Sequence, residues 1–178
     1  MAVAQTVTGQ VNFTLAATQT QTTGQVNPGG NTLTNLIQQV YQYKNAQGVQ
    51  YGVDQIYATQ ITLASTTQTI HFETATAHDP FGNTLAMLRI RDLIIQVVTA
   101  TIGFDLEYYG SSSNGIAWLS LLANPLTVRA GGMDWKSDPL SFGAGTGNFI
   151  SATTDGVTLN SLSNTVTFNL VAIGNSQA

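Results

Sequence analysis

Two small groups of residues have types and spacings that catalysis could use, and the first is a pair of carboxylates. Asp105 and Glu107 lie two apart in an alternating segment, so both point to one face of a strand. Sandwich glycosidases can place acids in this way, because an acid and a nucleophile must flank one glycosidic bond. Only Tyr109 follows on that face, and a third acid at this spacing is missing. We therefore favour a solvated strand face with partners for the few arginines, ahead of a sugar-binding face and of a glycosidase.

The second group contains both histidines of the chain. His71 and Glu73 would share a face of a strand, and His78 and Asp79 follow after a break. Such a set could bind a metal, but a single His-x-Glu has no defined ligand spacing. His78, Asp79 and Pro80 are more typical of a turn, in which aspartate accepts backbone hydrogen bonds and proline fixes φ. We therefore predict no metal site.

Other catalytic signatures do not occur in the sequence. There is no cysteine, so no thiolate nucleophile or thiolate zinc site can form. No G-x-S-x-G, P-loop or dinucleotide fingerprint is present, and "FGAGTGNF" lacks the strand-to-helix context that a phosphate cradle requires. We predict no enzyme activity and no cofactor.

Four of the five basic residues fall in two short segments. Arg89 and Arg91 share one parity in "LRIRD" and form a small basic ridge, which could pair with carboxylates of this subunit or of a neighbour. The segment "VRAGGMDWKSDP" predicts a hairpin-like edge around Gly131 and Gly132, with Asp134 and Lys136 on one parity and Trp135 on the other. Neither segment is basic enough for nucleic acid.

Composition points to assembly. Only 8% of the residues are charged, against about 25% in an ordinary soluble domain. Thr, Gln, Asn and Ser make up roughly a third of the chain. Hydroxyls and amides can be buried against a neighbour at less cost than charges, provided that each finds a hydrogen bond. The net charge of −4 argues against nucleic-acid binding, and no basic run suits an anionic membrane.

The hydrophobic pattern predicts an all-β chain with an unusual beginning. Residues 3–15 alternate as a half-buried strand, residues 17–31 are typical of a loop or an extended arm, and residues 32–43 favour a short helix with an apolar stripe. Residues 85–100 are apolar on both parities, which predicts a central strand covered on both faces. In 102–109 and 165–170, apolar and polar residues alternate strictly.

These elements predict a single-domain β-sandwich with a jelly-roll-like arrangement and an extended N-terminal segment. Residues 1–50 would form the N-terminal strand and arm, and residues 51–178 the sandwich core. The N-terminal part would make contacts between subunits.

Four segments between residues 53 and 178 have a characteristic order of turns and strands: "VDQIYATQITLASTTQTIHF", "DPFGNTLAMLRIRDLIIQVV", "LTVRAGGMDWKSDP" and "TTDGVTLNSLSNTVTFNLVAIGNS". In this order the chain resembles small virion structural proteins of tailed bacteriophages. It departs from them at Arg129, where a proline is common, and in "IHFETATAHDP". The resemblance implies a β-sandwich that assembles into the phage particle without enzyme activity.

The favoured function is that of a capsid decoration (cement) protein. It would bridge subunits of the major capsid protein as a homotrimer, in virions assembled in the host cytoplasm, without binding nucleic acid or membrane. The alternative is a tail or host-receptor protein that binds glycans. Candidate interface residues are the aromatic anchors and the basic ridge, namely Trp118, Trp135, Tyr108, Tyr109, Arg89 and Arg91.

Overall fold

A computed structural model of the chain describes residues 9–20, 30–45, 52–73, 77–80, 82–101, 105–110, 119, 124–137 and 156–176. Within these residues the chain forms eleven β-strands and no helix, which confirms the predicted all-β class. A helix able to cross a membrane is accordingly not found in this part of the chain.

Eight strands form two four-stranded antiparallel sheets. Sheet I has the order β4-β11-β6-β9 and sheet II the order β5-β10-β7-β8. The bounds are β4 Gln55–Ala64, β5 Thr67–Ile70, β6 Arg89–Ala100, β7 Asp105–Gly110, β8 Leu126–Arg129, β9 Met133–Ser137, β10 Val157–Asn160 and β11 Thr165–Asn175.

The pairing of these eight strands follows one rule. The first pairs with the eighth (β4 with β11), the second with the seventh (β5 with β10), the third with the sixth (β6 with β9) and the fourth with the fifth (β7 with β8). A long two-stranded ribbon of one chain, wound around a core, produces this order, which is that of a jelly roll. The predicted sandwich is therefore confirmed.

The core lies between the sheets and is built by strict alternation. In β11, Val166, Phe168, Leu170 and Ala172 are fully buried, while the residues between them face outward. In β7, Leu106 and Tyr108 are buried in the same way. Alternation thus works as predicted in 105–109 and 165–170, since a strand presents every second side chain to the core, while residues 102–104 lie outside the described residues.

Strand β6 is central in sheet I, as predicted, but only its first half is covered on both faces. Residues 89–93 are all buried, whereas Gln96 and Val98 are exposed. The pairing of β6 with β11 skips Arg91 and Val98, so the register shifts at both residues. Such bulges change which face of the sheet the following side chains point to. The apolar residues on both parities of 85–100 therefore arise partly from bulges.

The N-terminal strands form a separate sheet with the order β1-β2-β3. Strand β1 (Gly9–Thr20) pairs antiparallel with β2 (Gly30–Asn45), and β3 (Gly52–Val53) adds a short parallel pairing. The helix predicted over 32–43 is wrong, because these residues pair along β1 and their Thr, Val and Tyr residues suit a strand. The strand predicted at 3–15 is found from Gly9 onward, while residues 1–8 and 21–29 lie outside the described residues.

The turn at residues 130–132 joins the two sheets. Gly131 has φ of 75°, as predicted for a tight reversal. The hairpin-like edge predicted here is wrong, however, because β8 pairs with β7 in sheet II and β9 with β6 in sheet I. Gly132 accepts a hydrogen bond from the backbone N–H of Val97, so the corner is fastened to β6.

Candidate interaction surfaces

The outward face of sheet I, which we call the amide face, is formed by alternate residues of its four strands. It comprises Ile56, Ala58, Gln60 and Thr62 of β4, Thr167, Asn169, Val171 and Ile173 of β11, Asp92, Ile94 and Gln96 of β6, and Met133, Trp135 and Ser137 of β9. The register places these residues in rows that cross the sheet.

One row is a ladder of amides. Gln60 Nε2 donates to Asn169 Oδ1 at 3.0 Å, and Asn169 Nδ2 donates to Gln96 Oε1 at 3.1 Å, so the ladder spans three strands. A neighbouring row joins Thr62 Oγ1 and Thr167 Oγ1 at 2.8 Å. Amides donate and accept at once, so the ladder keeps unused groups that a partner could bond.

The next row is apolar. Ala58 is exposed, and Val171, Ile94 and Trp135 are partly exposed beside it. At the β9 edge, 56% of Met133 is exposed, an unusual fraction for a large apolar residue. The amide face therefore combines a polar ladder with an apolar strip, the two components of a protein interface.

Trp135 binds the one charged residue of the amide face. Its Nε1 donates to Asp92 Oδ1 at 2.8 Å, and Asp92 is fully buried while Trp135 stays partly exposed. Among the described residues, the amide face consequently carries no exposed charge. A partner that covered it would not have to strip water from an ion.

Tyr108, predicted as an interface anchor, lies in the core. Its hydroxyl donates across the sandwich to Asp134 Oδ2, and Lys136 Nζ lies 3.3 Å from the same oxygen. Burial first, and then the hydrogen bond and the charge of Asp134, raise the pKa of Tyr108 far above its ordinary value. Tyr108 therefore bridges the sheets as a neutral phenol and has almost no surface to offer a partner.

The outward face of sheet II, which we call the acidic face, carries Asp105, Glu107 and Tyr109 on one strand. Arg129 Nε lies 3.8 Å from Asp105 Oδ1, and its side chain is 87% exposed, so this ion pair contributes little to stability. Glu107 Oε2 accepts from Asn160 Nδ2 at 3.3 Å. Each carboxylate thus has a neighbour on the next strand, and Asp105 pairs with an arginine as predicted.

The basic ridge is not a surface feature. Arg89 and Arg91 are both buried at the start of β6, where Asp92 and Asn175 are buried too. The bulge at Arg91 removes the simple alternation on which the ridge was predicted. Neither arginine is available to a neighbouring subunit in this conformation, and the predicted anchor Trp118 lies outside the described residues.

The histidine segment forms turns. Strand β5 ends at Ile70, so His71 and Glu73 do not share a strand face as predicted. Asp79 accepts from the backbone N–H of Asn83 at 2.8 Å and from its Nδ2 at 2.9 Å, which confirms the turn predicted there. Among the described residues, no three His, Asp or Glu side chains are grouped closely enough to hold a metal ion.

Sequence reasoning missed the amide ladder: Asn169 lies in an alternating segment, but Gln96 lies in a segment that is apolar on both parities. It also missed the clamp at the C-terminal end of β11, where Ser176 donates from its N–H and its Oγ to Asp54, at 2.8 and 2.6 Å. Both features join residues that are 73 to 122 positions apart, so they are found only in the folded chain.

Comparison with protein-family models, with curated proteins and with solved structures gives no match for this chain, so its function must be inferred from the fold and its surfaces.

Proposed function

We propose that this chain is a structural protein of a tailed-bacteriophage particle, and that it serves as a decoration (cement) protein on the outside of the capsid. Each copy covers a joint between subunits of the major capsid protein and buries surface there. The added contacts must be broken before the pressure of the DNA inside can separate these subunits. It carries out no reaction and needs no cofactor.

The amide face is the observation that carries this proposal. Its amides and hydroxyls are already aligned by the sheet, so few rotamers are lost when a partner covers them. Its apolar strip supplies area that gains free energy on burial, at about 25 cal/mol per Å². Because no exposed charge lies on this face among the described residues, binding should depend little on salt.

The N-terminal strands support assembly as well. Residues 1–43 contain no Asp, Glu, Lys or Arg, so this part shares the uncharged character of the amide face. The β1-β2-β3 sheet is separate from both sandwich sheets, and a ribbon of two strands is marginally stable by itself. Contacts with other copies would stabilise it, and a homotrimer suits the local three-fold positions of an icosahedral shell.

Co-sedimentation with capsids that lack this protein tests the proposal. Wild-type protein should bind saturably, and binding should change little between low and high salt. Gln96→Lys, in the middle of the amide face, should weaken binding at least tenfold. Thr127→Lys, an equally exposed change on sheet II, should not. If no binding is seen, or if both variants bind like wild type, the assignment of the amide face is wrong.

The acidic face favours a second candidate function, a tail or host-receptor protein that binds glycans. Tyr109 lies next to two carboxylates on one strand, and carboxylates and an aromatic ring can together contact a sugar. Binding of host glycans that is lost in Glu107→Gln would support this candidate over the first. Hydrolysis of a polysaccharide, lost in Asp105→Asn or Glu107→Gln, would instead indicate a glycosidase.

A further inference from the structure

Within the part of the chain that the structure describes, the edge of sheet I at β4 lacks the protection that natural sheets give their edges. β4 is ten residues long, carries no charged residue and no proline, and pairs with β11 in an unbroken register without a bulge. Exposed edges of this kind add strands from other molecules, and proteins normally blunt them with charges, prolines, bulges or shortness. Among the described strands, β11 alone pairs with β4.

The other three edges of the sandwich are protected. β5 and β8 have four residues each, and β9 has five. β8 ends in Arg129, and β9 contains Asp134 and Lys136. The contrast singles out β4 as the strand that can accept a partner.

The sequence of β4 is suited to pairing with itself. In an antiparallel pair, opposed residues lie on the same face of the sheet. When a strand pairs with its own copy, two opposed residues must therefore both have even numbers or both have odd numbers. With Gln60 opposite Gln60, Leu63 lies opposite Tyr57 on the core side, and Ala64 lies opposite Ile56 on the outer side. This register uses residues 56–64 completely and sets apolar residues against apolar residues at its two ends, while nearer the axis Ala58 lies opposite Thr62 and Thr59 opposite Ile61.

The centre of this register is also complementary. Gln60 uses one N–H to bond Asn169, so its carbonyl oxygen and its second N–H remain for a partner amide. Two glutamine amides related by a two-fold axis can donate to and accept from each other. The amide ladder would then continue from one copy into the next.

We propose that β4 is a self-association edge, and that two copies of this chain join their sheets I through antiparallel β4–β4 pairing about a two-fold axis at Gln60. The contact makes one continuous eight-stranded sheet from two copies. It does not depend on the capsid proposal, because it concerns contact between copies alone. It joins two single chains, or two chains that belong to different trimers.

Disulfide trapping tests the register directly. The chain has no cysteine, so Gln60→Cys introduces a unique thiol. Opposed residues of an antiparallel pair have Cα atoms about 4.5–5.5 Å apart, within the range of about 4.4–6.8 Å that a disulfide tolerates. Under mild oxidation, Gln60→Cys should form a cross-linked dimer. Thr127→Cys, an exposed position on the protected edge β8, is the control and should stay uncross-linked.

Charge at the axis tests the contact without oxidation. Gln60→Lys places two like charges together, and the mass measured by analytical ultracentrifugation should fall to half that of wild type. Gln96→Lys is the matched control, since it makes the same residue change on the same face and also alters a hydrogen bond with Asn169, but lies on an inner strand. Its mass should stay that of wild type, and thermal unfolding verifies that both variants fold.

Three results would overturn the proposal. These are a wild-type chain that sediments as a monomer at every concentration, a mass that Gln60→Lys leaves unchanged, and cross-linking at residue 60 that is no faster than at residue 127. Loss of capsid binding in Gln96→Lys with the two-copy contact intact would separate this edge from the capsid-binding face.

Discussion

At the scale of single residues, the bond between Tyr108 and Asp134 shows how the sandwich is held together. Tyr108 belongs to sheet II, and Asp134 belongs to the edge strand β9 of sheet I. Tyr108→Phe keeps the ring and removes the donor, which leaves Asp134 with the ammonium group of Lys136. We expect the free energy of unfolding at neutral pH to fall by about 1–3 kcal/mol. Urea denaturation measures it, and a loss below about 0.5 kcal/mol would mean that the bond is unimportant.

The same tyrosine predicts a dependence on alkaline pH. The pKa of Tyr108 is raised in the folded chain, so the folded state binds its proton more tightly than the unfolded state. Its contribution is complete below the unfolded pKa of about 10 and is lost as the pH rises above that value. Tyr57, whose pKa burial also raises, acts with the same sign. Above pH 10, the free energy of unfolding should therefore fall less steeply with pH for Tyr108→Phe than for wild type. Urea denaturation at several pH values should show slopes that differ by about 1.4 kcal/mol per pH unit.

Gly174 lies where two stretches of backbone approach too closely for a side chain. A Cβ placed there would lie 1.9 Å from the carbonyl oxygen of Arg89 and 2.7 Å from Met87 Sδ. Backbone cannot yield as a side chain does, so Gly174→Ala should destabilise by more than about 3 kcal/mol or prevent folding. Gly82→Ala provides the contrast, because nothing lies within 4 Å of its Cβ position and only its φ of 86° opposes the change. The midpoint temperature of thermal unfolding should be far lower for Gly174→Ala than for Gly82→Ala.

At the scale of elements, the amide ladder is better suited to binding than to stability. Its hydrogen bonds are exposed, and exposed bonds exchange with water at little net gain. Asn169→Thr removes both bonds but keeps a good strand former, so the free energy of unfolding should change by less than about 1 kcal/mol while capsid binding falls. A loss of more than about 2 kcal/mol would show that the ladder is needed for the fold.

The hydrogen bond between Trp135 and the buried Asp92 gives the opposite expectation, a loss of stability. Trp135→Phe removes the indole donor to the fully buried Asp92, and a buried charged acceptor that loses a donor costs about 1–3 kcal/mol. Chemical denaturation of Trp135→Phe and Asn169→Thr side by side therefore separates the residues that hold sheet I together from those that face a partner. Equal losses in the two variants would contradict this division.

How far the sequence predicts these elements depends on what each pattern contains. Alternation at 105–109 and 165–170 identifies strand and face correctly, because burial on one side is encoded locally. The helix at 32–43 fails because an apolar stripe of that length fits either element, and pairing with β1 decides. The prediction of an exposed ridge at Arg89 and Arg91 is wrong because a bulge changes the alternation of faces there. The amide ladder could not be predicted because it depends on the register between strands that are far apart in the sequence.

At the scale of the whole molecule, charge is divided between the two faces. The described acidic face has Asp105, Glu107 and Arg129, whereas the amide face has only the buried Asp92. The proposed decoration role would use this asymmetry, because one side would be covered and the other would meet water. The uncharged edge β4 borders the side proposed for burial, so contacts between copies and contact with a capsid would lie next to each other.

Removal of the N-terminal strands tests the division of the chain. Every strand of sheets I and II finds its partners between Gln55 and Asn175, so the sandwich needs no hydrogen bond of its sheets from β1 or β2. A chain that starts at residue 46 should keep its β-type circular dichroism spectrum and a cooperative unfolding transition. Because the ribbon is uncharged up to residue 43 and marginal by itself, its loss should lower the oligomeric mass or the capsid affinity instead. A truncated chain that cannot fold would show that β1 and β2 belong to the core of the same subunit, and an unchanged oligomer with full capsid affinity would remove the ribbon from assembly.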